Sequence, residues 1–167
     1  VFVALSSFYT GSYSASEKQK ALLGKQLFSE KILSKDSSIS CASCHKPEFA
    51  FADTMAFSIG MNGKLTGRNT PSVHKTKNRP YYFWDGRAKT LQEQALIPLE
   101  NPNEMDMPVA EALRRLNKSG KYRQLFYKVF RQKPNKKNLA EAIAAYEKTL
   151  ETINSPFDDW SNNMGTL

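Results

Sequence analysis

Two thiols and an imidazole fall within the run Cys41-Ala42-Ser43-Cys44-His45, and these are the only two cysteines in the chain. At that spacing the sulfurs lie about one helical turn apart, so both can join the vinyl groups of one porphyrin while the next residue brings its imidazole under the metal. The run reads as the attachment site of one covalently bound c-type haem, with His45 as the proximal iron ligand. Other chemistries fit less well. Structural zinc wants four ligands, and beyond His45 the chain holds one more histidine, His74. A thioredoxin-like redox pair sits in a strand-helix-strand frame, whereas Lys35-Asp36-Ser37-Ser38 and Lys46-Pro47 on either side read as loop.

The elements that position this run are helical. Ser16 with Gln19 forms a capping box, and Ala21, Leu22, Leu23, Leu27 and Phe28 recur at helical spacing, which predicts a helix from about Glu17 to Phe28. From Pro47 to Pro80 the chain is rich in Gly, Asn, Thr and Pro without a sustained period and reads as an irregular wrap. Thr90 and Glu93 open a short helix that Pro98 is expected to end. Val109, Leu113 and Leu116 mark another helix, Ser119-Gly120 breaks it, and Tyr122, Leu125, Phe126, Val129 and Phe130 mark the next. Leu139, Ile143, Tyr146, Leu150 and Ile153 form the cleanest amphipathic stripe, which Ser155-Pro156 should stop. No alternating strand pattern of useful length is present, so the expected fold is mostly α.

A length of 167 residues suits one domain. Residues 1–15, with the apolar Val1-Phe2-Val3-Ala4-Leu5 followed by small residues, read as an N-terminal arm or signal-peptide remnant, too short to span a bilayer. The haem domain is then 16–167. Haem attachment of this type takes place outside the bacterial cytoplasmic membrane, so the periplasm is the expected compartment. The net charge of +8 suits a solvated basic face or an acidic redox partner; no nucleic-acid-binding signature accompanies it.

An ordered set of short landmarks runs through the chain. They are Leu23-Gly24-Lys25-Gln26-Leu27-Phe28, Ile39-Ser40 before the thiols, Ser58-Ile59-Gly60, Arg68-Asn69-Thr70-Pro71-Ser72, Phe83-Trp84-Asp85-Gly86-Arg87, Glu93-Gln94-Ala95, Glu104-Met105 and Asn154-Ser155-Pro156-Phe157-Asp158. Taken together, the chain resembles the N-terminal haem domain of the bacterial di-haem cytochrome c peroxidase and MauG family. The resemblance implies a cytochrome c-like single-haem domain with long irregular loops. Family members carry a second haem domain with its own Cys-x-x-Cys-His, and this chain stops at Leu167 where that domain would start. A natural single-haem protein, a split subunit and a fragment all match that ending.

The resemblance also assigns roles. It places Glu104 on the distal side, where a carboxylate can take a proton from one peroxide oxygen and return it to the leaving one. Gln94 would orient the peroxide by hydrogen bonding. The alternatives are a helix-end carboxylate for Glu104 and a solvated helix face for Gln94. Bis-histidine members carry a histidine directly after Ser-Ile-Gly, and Met61 stands there here. Met61 is thus a candidate sixth ligand, in competition with Met55, Met105, Met107 and an open iron. Trp84 matches a tryptophan on the family's electron path, with core packing in the Tyr81-Tyr82-Phe83-Trp84 cluster as the alternative. Arg68 and Arg87 are candidates for haem propionates or for surface ion pairs. Asn69 matches a calcium ligand whose companions lie in the second domain, so calcium is not expected.

The expected function is reduction of hydrogen peroxide with electrons from a redox partner, either an acidic protein or a second-haem subunit. The alternatives are a single-haem electron carrier closed by Met61 and a haem subunit of a larger redox complex.

Overall fold

The computed structural model describes residues 16–151 and 160–161. The N-terminal arm, the expected helix stop at Ser155-Pro156 and the landmark at 154–158 lie outside the described residues. Among the described residues the α-helices with assigned bounds are α1 Glu17–Phe28, α2 Cys41–Cys44, α3 Leu91–Gln94, α4 Ile97–Glu100, α5 Val109–Lys118, α6 Gly120–Phe130 and α7 Lys136–Glu147. Short 3-10 turns interrupt the loops, and among the described residues the only β pairing is three isolated bridges.

The caps explain where the helices begin. Ser16 Oγ accepts from the Gln19 amide at 3.2 Å, and Thr90 and Glu93 satisfy each other's amides in a full capping box. Ser119 both ends α5 and caps α6 by accepting from the Tyr122 amide. Two expectations change. Pro98 does not end a helix: the chain breaks at Ala95-Leu96, and Pro98 sits in the first turn of α4, where a missing N–H costs nothing. The stripe on α7 is also not one face of a surface helix. The helix ends at Glu147, and Ala140, Ala142, Ala144 and Ala145 are buried along with Leu139 and Ile143, so α7 is enclosed on most sides.

That enclosure depends on α1. At Gly24 the helices approach so closely that an added Cβ would stand 1.9 Å from the Ala142 carbonyl oxygen. Leu23, Leu27, Leu139, Ala142, Ile143 and Phe126 then close one core. Helix propensity alone favours Gly24→Ala by about 0.5–1 kcal/mol. Steric conflict with backbone outweighs it, so the substitution is expected to destabilise by at least about 1–3 kcal/mol, read as a lower denaturant midpoint.

Arg115 of α5 clamps the loop that leads to the thiols. Its guanidinium donates to the carbonyls of Ile32, Ser34 and Lys35 at 3.2, 2.9 and 2.8 Å. The thiol run thus starts from a loop anchored to the helical core.

Candidate functional site

A cavity of about 390 Å³ opens between α2, the 66–87 loops, the 94–105 segment and the last turns of α7, and Cys41, Cys44 and His45 lie on its wall. The sequence builds α2 as one tight turn: the Ser40 amide donates to Ser43 Oγ at 3.0 Å, and the His45 amide donates to the Cys41 carbonyl at 2.9 Å. Both cysteines are free and half-buried. Burial pushes the Cys41 thiol up to about 12 and the Cys44 thiol upward as well. Burial thus disfavours the free thiolate that disulfide exchange uses. Among the described residues no group of three or more His, Cys, Asp or Glu side chains is placed to hold a metal ion.

His45 is prepared as a ligand. Its Nδ1 lies 3.0 Å from the Phe51 carbonyl, so Nδ1–H donates there and leaves the Nε2 lone pair for a metal. Burial lowers the affinity of the ring for a second proton, which favours the neutral, ligating form. The turn that brings Phe51 back closes through the Lys46–Ala52 bridge and a polar chain. In that chain Lys46 Nζ donates to Asp53 at 2.8 Å, Ser58 Oγ donates to Asp53 at 2.6 Å, and Ser58 meets Thr70 at 2.7 Å. The Lys46 and Ser58 bonds hold the Asp53 carboxyl at about 2, below its ordinary 3.8. A depressed carboxylate stabilises the fold above its unfolded pKa, and that contribution is lost as pH falls from about 3.8 through about 2. Asp53→Asn is expected to flatten this part of an acid-unfolding curve followed by circular dichroism, and to lower stability at neutral pH.

Glu104 and Gln94 line the same cavity. Glu104 follows α4 in a turn, not at a helix N-terminus, and its Oε1 accepts from Asn101 Nδ2 at 2.7 Å. Burial raises its carboxyl above the ordinary range, opposed by the Asn101 bond and by Arg87. It also acts electrostatically on both cysteines. The Ser58-Ile59-Gly60 landmark supports it from behind. A Cβ at Gly60 would lie 2.0 Å from the Asn103 carbonyl oxygen, and the Met61 amide donates to the Glu104 carbonyl at 2.9 Å. Gln94 is half-buried on α3, and its Oε1 is buried without a hydrogen-bond partner. A solvated helix face does not describe it.

Other expected residues stand elsewhere. Met61 is 1% exposed but off the cavity wall; Ser38 Oγ donates to its Sδ at 3.8 Å. The Met61 amide's bond to the Glu104 carbonyl fixes its backbone, and its side chain is buried outside the cavity lining. Met105, 4% exposed, lines the cavity instead. Core packing is also wrong for Trp84, which is 64% exposed. Positive φ at Phe83 and Gly86 and the Tyr82–Ala88 bridge make a tight loop that buries Tyr82 and turns Trp84 to the cavity mouth, its Nε1 donating to Asn69 O. Arg68 and Arg87 converge beside it on Asp85 at 3.2 and 2.9 Å, exposed pairs of little worth to stability. Asn69 donates to the Met55 carbonyl, and His74 stacks edge-on against Phe51. The sequence reading missed Glu147, a buried carboxyl of α7 on the wall whose Oε2 has no partner.

The residues present fit a c-type haem: paired thiols, a neutral imidazole with a committed tautomer, and unpartnered buried oxygens facing one cavity. The family model described as di-haem cytochrome c peroxidase matches residues 18–166. The chain belongs to the di-haem cytochrome c peroxidase family. That family uses c-type haem with iron, and this chain is a haem domain of it. It is 41% identical to cytochrome c peroxidase Ccp of Escherichia coli over 86% of this chain and 31% of that protein. It is 34% identical to the methylamine utilization protein MauG of Methylophilus methylotrophus over 85% of this chain and 43% of that protein. The chain thus spans less than half the length of these curated relatives. A solved MauG-like protein associated with microbial copper homeostasis superposes with a TM-score of 0.77 at 28% identity, covering 100% of this chain and 52% of that one. The di-haem peroxidase BthA from Burkholderia thailandensis superposes at 0.76 and 26% identity, covering 93% and 46%. The mostly helical cytochrome c-type fold is therefore shared with members of the family.

Proposed function

We propose that this domain reduces hydrogen peroxide, taking up two electrons and two protons per peroxide and releasing two waters. The observation that carries the reading is Glu104, a partly buried carboxyl with raised proton affinity lining the cavity that His45 also lines, with the unpartnered Gln94 oxygen in the same lining. The haem, when bound, supplies the one-electron redox chemistry of its iron. Glu104 takes a proton from one peroxide oxygen and delivers it to the other, which lets the O–O bond break without releasing hydroxide into a poorly solvated cavity. Asn101 holds Glu104 Oε1, leaving its second oxygen for the proton. Gln94 Oε1 accepts a hydrogen bond from the substrate O–H and orients it.

Electrons enter at the cavity mouth, where Trp84 presents its ring to solvent and Arg68 and Arg87 form a cationic rim able to meet an acidic redox partner or a second haem domain. The same arginines can turn to the haem propionates. An exported, periplasmic location belongs to this proposal. Among the described residues no helix is long and apolar enough to cross a membrane.

One observation favours the electron-carrier alternative: Met105 lines the cavity and carries a thioether. The ferric absorption spectrum separates the two. The peroxidase reading expects a high-spin spectrum from an iron with an open position. A low-spin spectrum with a near-infrared thioether band that Met105→Ala abolishes would support the carrier.

A further inference from the structure

Glu147 breaks local rules at a position the proposed peroxide chemistry does not use. It is the last residue of α7 and 4% exposed, so its carboxyl sits at the negative pole of a helix dipole and away from water. Its Oε2 has no hydrogen-bond partner. An isolated buried carboxylate is costly enough that the group neutralises instead, and burial alone pushes Glu147 up to about 8.

The groups packed around it do not relieve this. Cys41 is a neutral thiol, and Glu147 raises the proton affinity of Cys41, Tyr82 and Tyr146 alike. Arg79, on the same wall, donates to the carbonyls of Lys75 and His74. Thr76 donates at 3.3 Å to the main-chain carbonyl of Glu147, not to its carboxyl. The backbone around it is nevertheless tied down. Tyr82 OH donates to the Thr76 carbonyl at 2.9 Å and the Lys75 amide to the Leu150 carbonyl at 3.0 Å, which ties the 75–82 loop to the end of α7. A buried carboxyl with an unpartnered oxygen, lining a haem cavity at the end of a helix, opposes a local rule for which the fold shows no compensation.

We infer that Glu147 is a redox-linked proton acceptor: it gains a proton when the haem iron in this cavity gains an electron. With ferric iron in the cavity, whose positive charge favours the ionised form, Glu147 is a carboxylate. As one electron from an external one-electron reductant converts ferric to ferrous iron, Glu147 takes one proton from a solvent hydronium, whose O–H bond breaks. The only bond formed is the O–H of Glu147, and the overall charge of the cavity is unchanged. The physical reason is that reduction removes one positive charge from a poorly screened site, which raises the proton affinity of a nearby carboxylate. The inference rests on haem binding and not on peroxide turnover.

The test is the midpoint potential of the holoprotein, measured by spectroelectrochemical titration between about pH 6 and pH 9. The wild type is expected to become harder to reduce as pH rises, by up to about tenfold in the redox equilibrium constant per pH unit, or about 59 mV for one electron. Glu147→Gln should flatten that dependence. The redox-induced infrared difference spectrum should show a protonated-carboxyl band gained on reduction and shifted in heavy water. A potential independent of pH, or a dependence that survives Glu147→Gln, overturns the inference. If Glu147→Gln fails to mature, Glu147→Asp should move the carboxyl band; an unmoved band, or none in the wild type, overturns it equally. A flat potential alongside undiminished peroxide turnover sinks this inference alone, whereas a Glu147-dependent potential without turnover sinks only the peroxidase reading.

Discussion

Replacing both thiols, as Cys41→Ala with Cys44→Ala, is expected to abolish covalent haem. Wild-type polypeptide matured in a bacterial periplasm should keep its colour through acid-acetone extraction and carry the mass of one haem; the double variant should lose both. The effect is all-or-none because the two thioethers are the only covalent links these residues can make, and both thiols sit on the same cavity wall as His45. His45 alone would bind haem reversibly, since one imidazole ligand and burial do not replace two covalent bonds. A double variant that still held inextricable haem would remove the basis for reading this cavity as a c-type site.

Glu104→Gln is expected to leave the haem spectrum and the fold intact and to slow reaction with hydrogen peroxide by at least about tenfold. A placed acid-base side chain typically contributes about 10²- to 10⁴-fold, so tenfold is a conservative floor. The amide is nearly isosteric and can keep a hydrogen bond to Asn101, but it cannot carry the proton, so the variant separates proton transfer from packing. Gln94→Ala should cost less, because orientation is only part of the barrier. Stopped-flow absorption of the haem after mixing with peroxide reads both. Equal rates for wild type and Glu104→Gln would return Glu104 to a structural role.

These expectations began in the sequence to different degrees. The haem attachment run was legible because its chemistry depends on local spacing, within the five consecutive residues from Cys41 to His45. Helices α1, α5 and α6 were legible because Ser16 and Ser119 cap them and the apolar period is regular. α7 was read too narrowly. Alanine carries little hydropathic contrast, so the burial of Ala140, Ala142, Ala144 and Ala145 left no stripe to read. Pro98 was read as a stop because a first-turn proline and a terminating one look alike until the preceding break at Ala95-Leu96 is known.

The site divides along the same line. Glu104 and Gln94 came from resemblance, and their alternatives, a helix-end carboxylate and a solvated helix face, are weighed only once tertiary placement is known. The burial of Met61 outside the cavity lining, beside Glu104 43 positions away, is a tertiary feature that no local pattern encodes. Trp84 looked like core by composition, but positive φ at Phe83 and Gly86 turns it outward. Glu147 follows Tyr146 in an otherwise ordinary helix and carries no motif. Its one signal is an acidic residue at the C-terminal end of a buried helix, and that is visible only once the helix end is placed.

The central claim, that this haem domain reduces peroxide, is tested most directly by mixing pre-reduced holoprotein with hydrogen peroxide under anaerobic conditions and following the haem bands. The account predicts peroxide-dependent oxidation at a ratio of two haems per peroxide, strongly slowed in Glu104→Gln. Ferrous protein that stays reduced in peroxide, while cycling reversibly between its two oxidation states at an electrode, would contradict it.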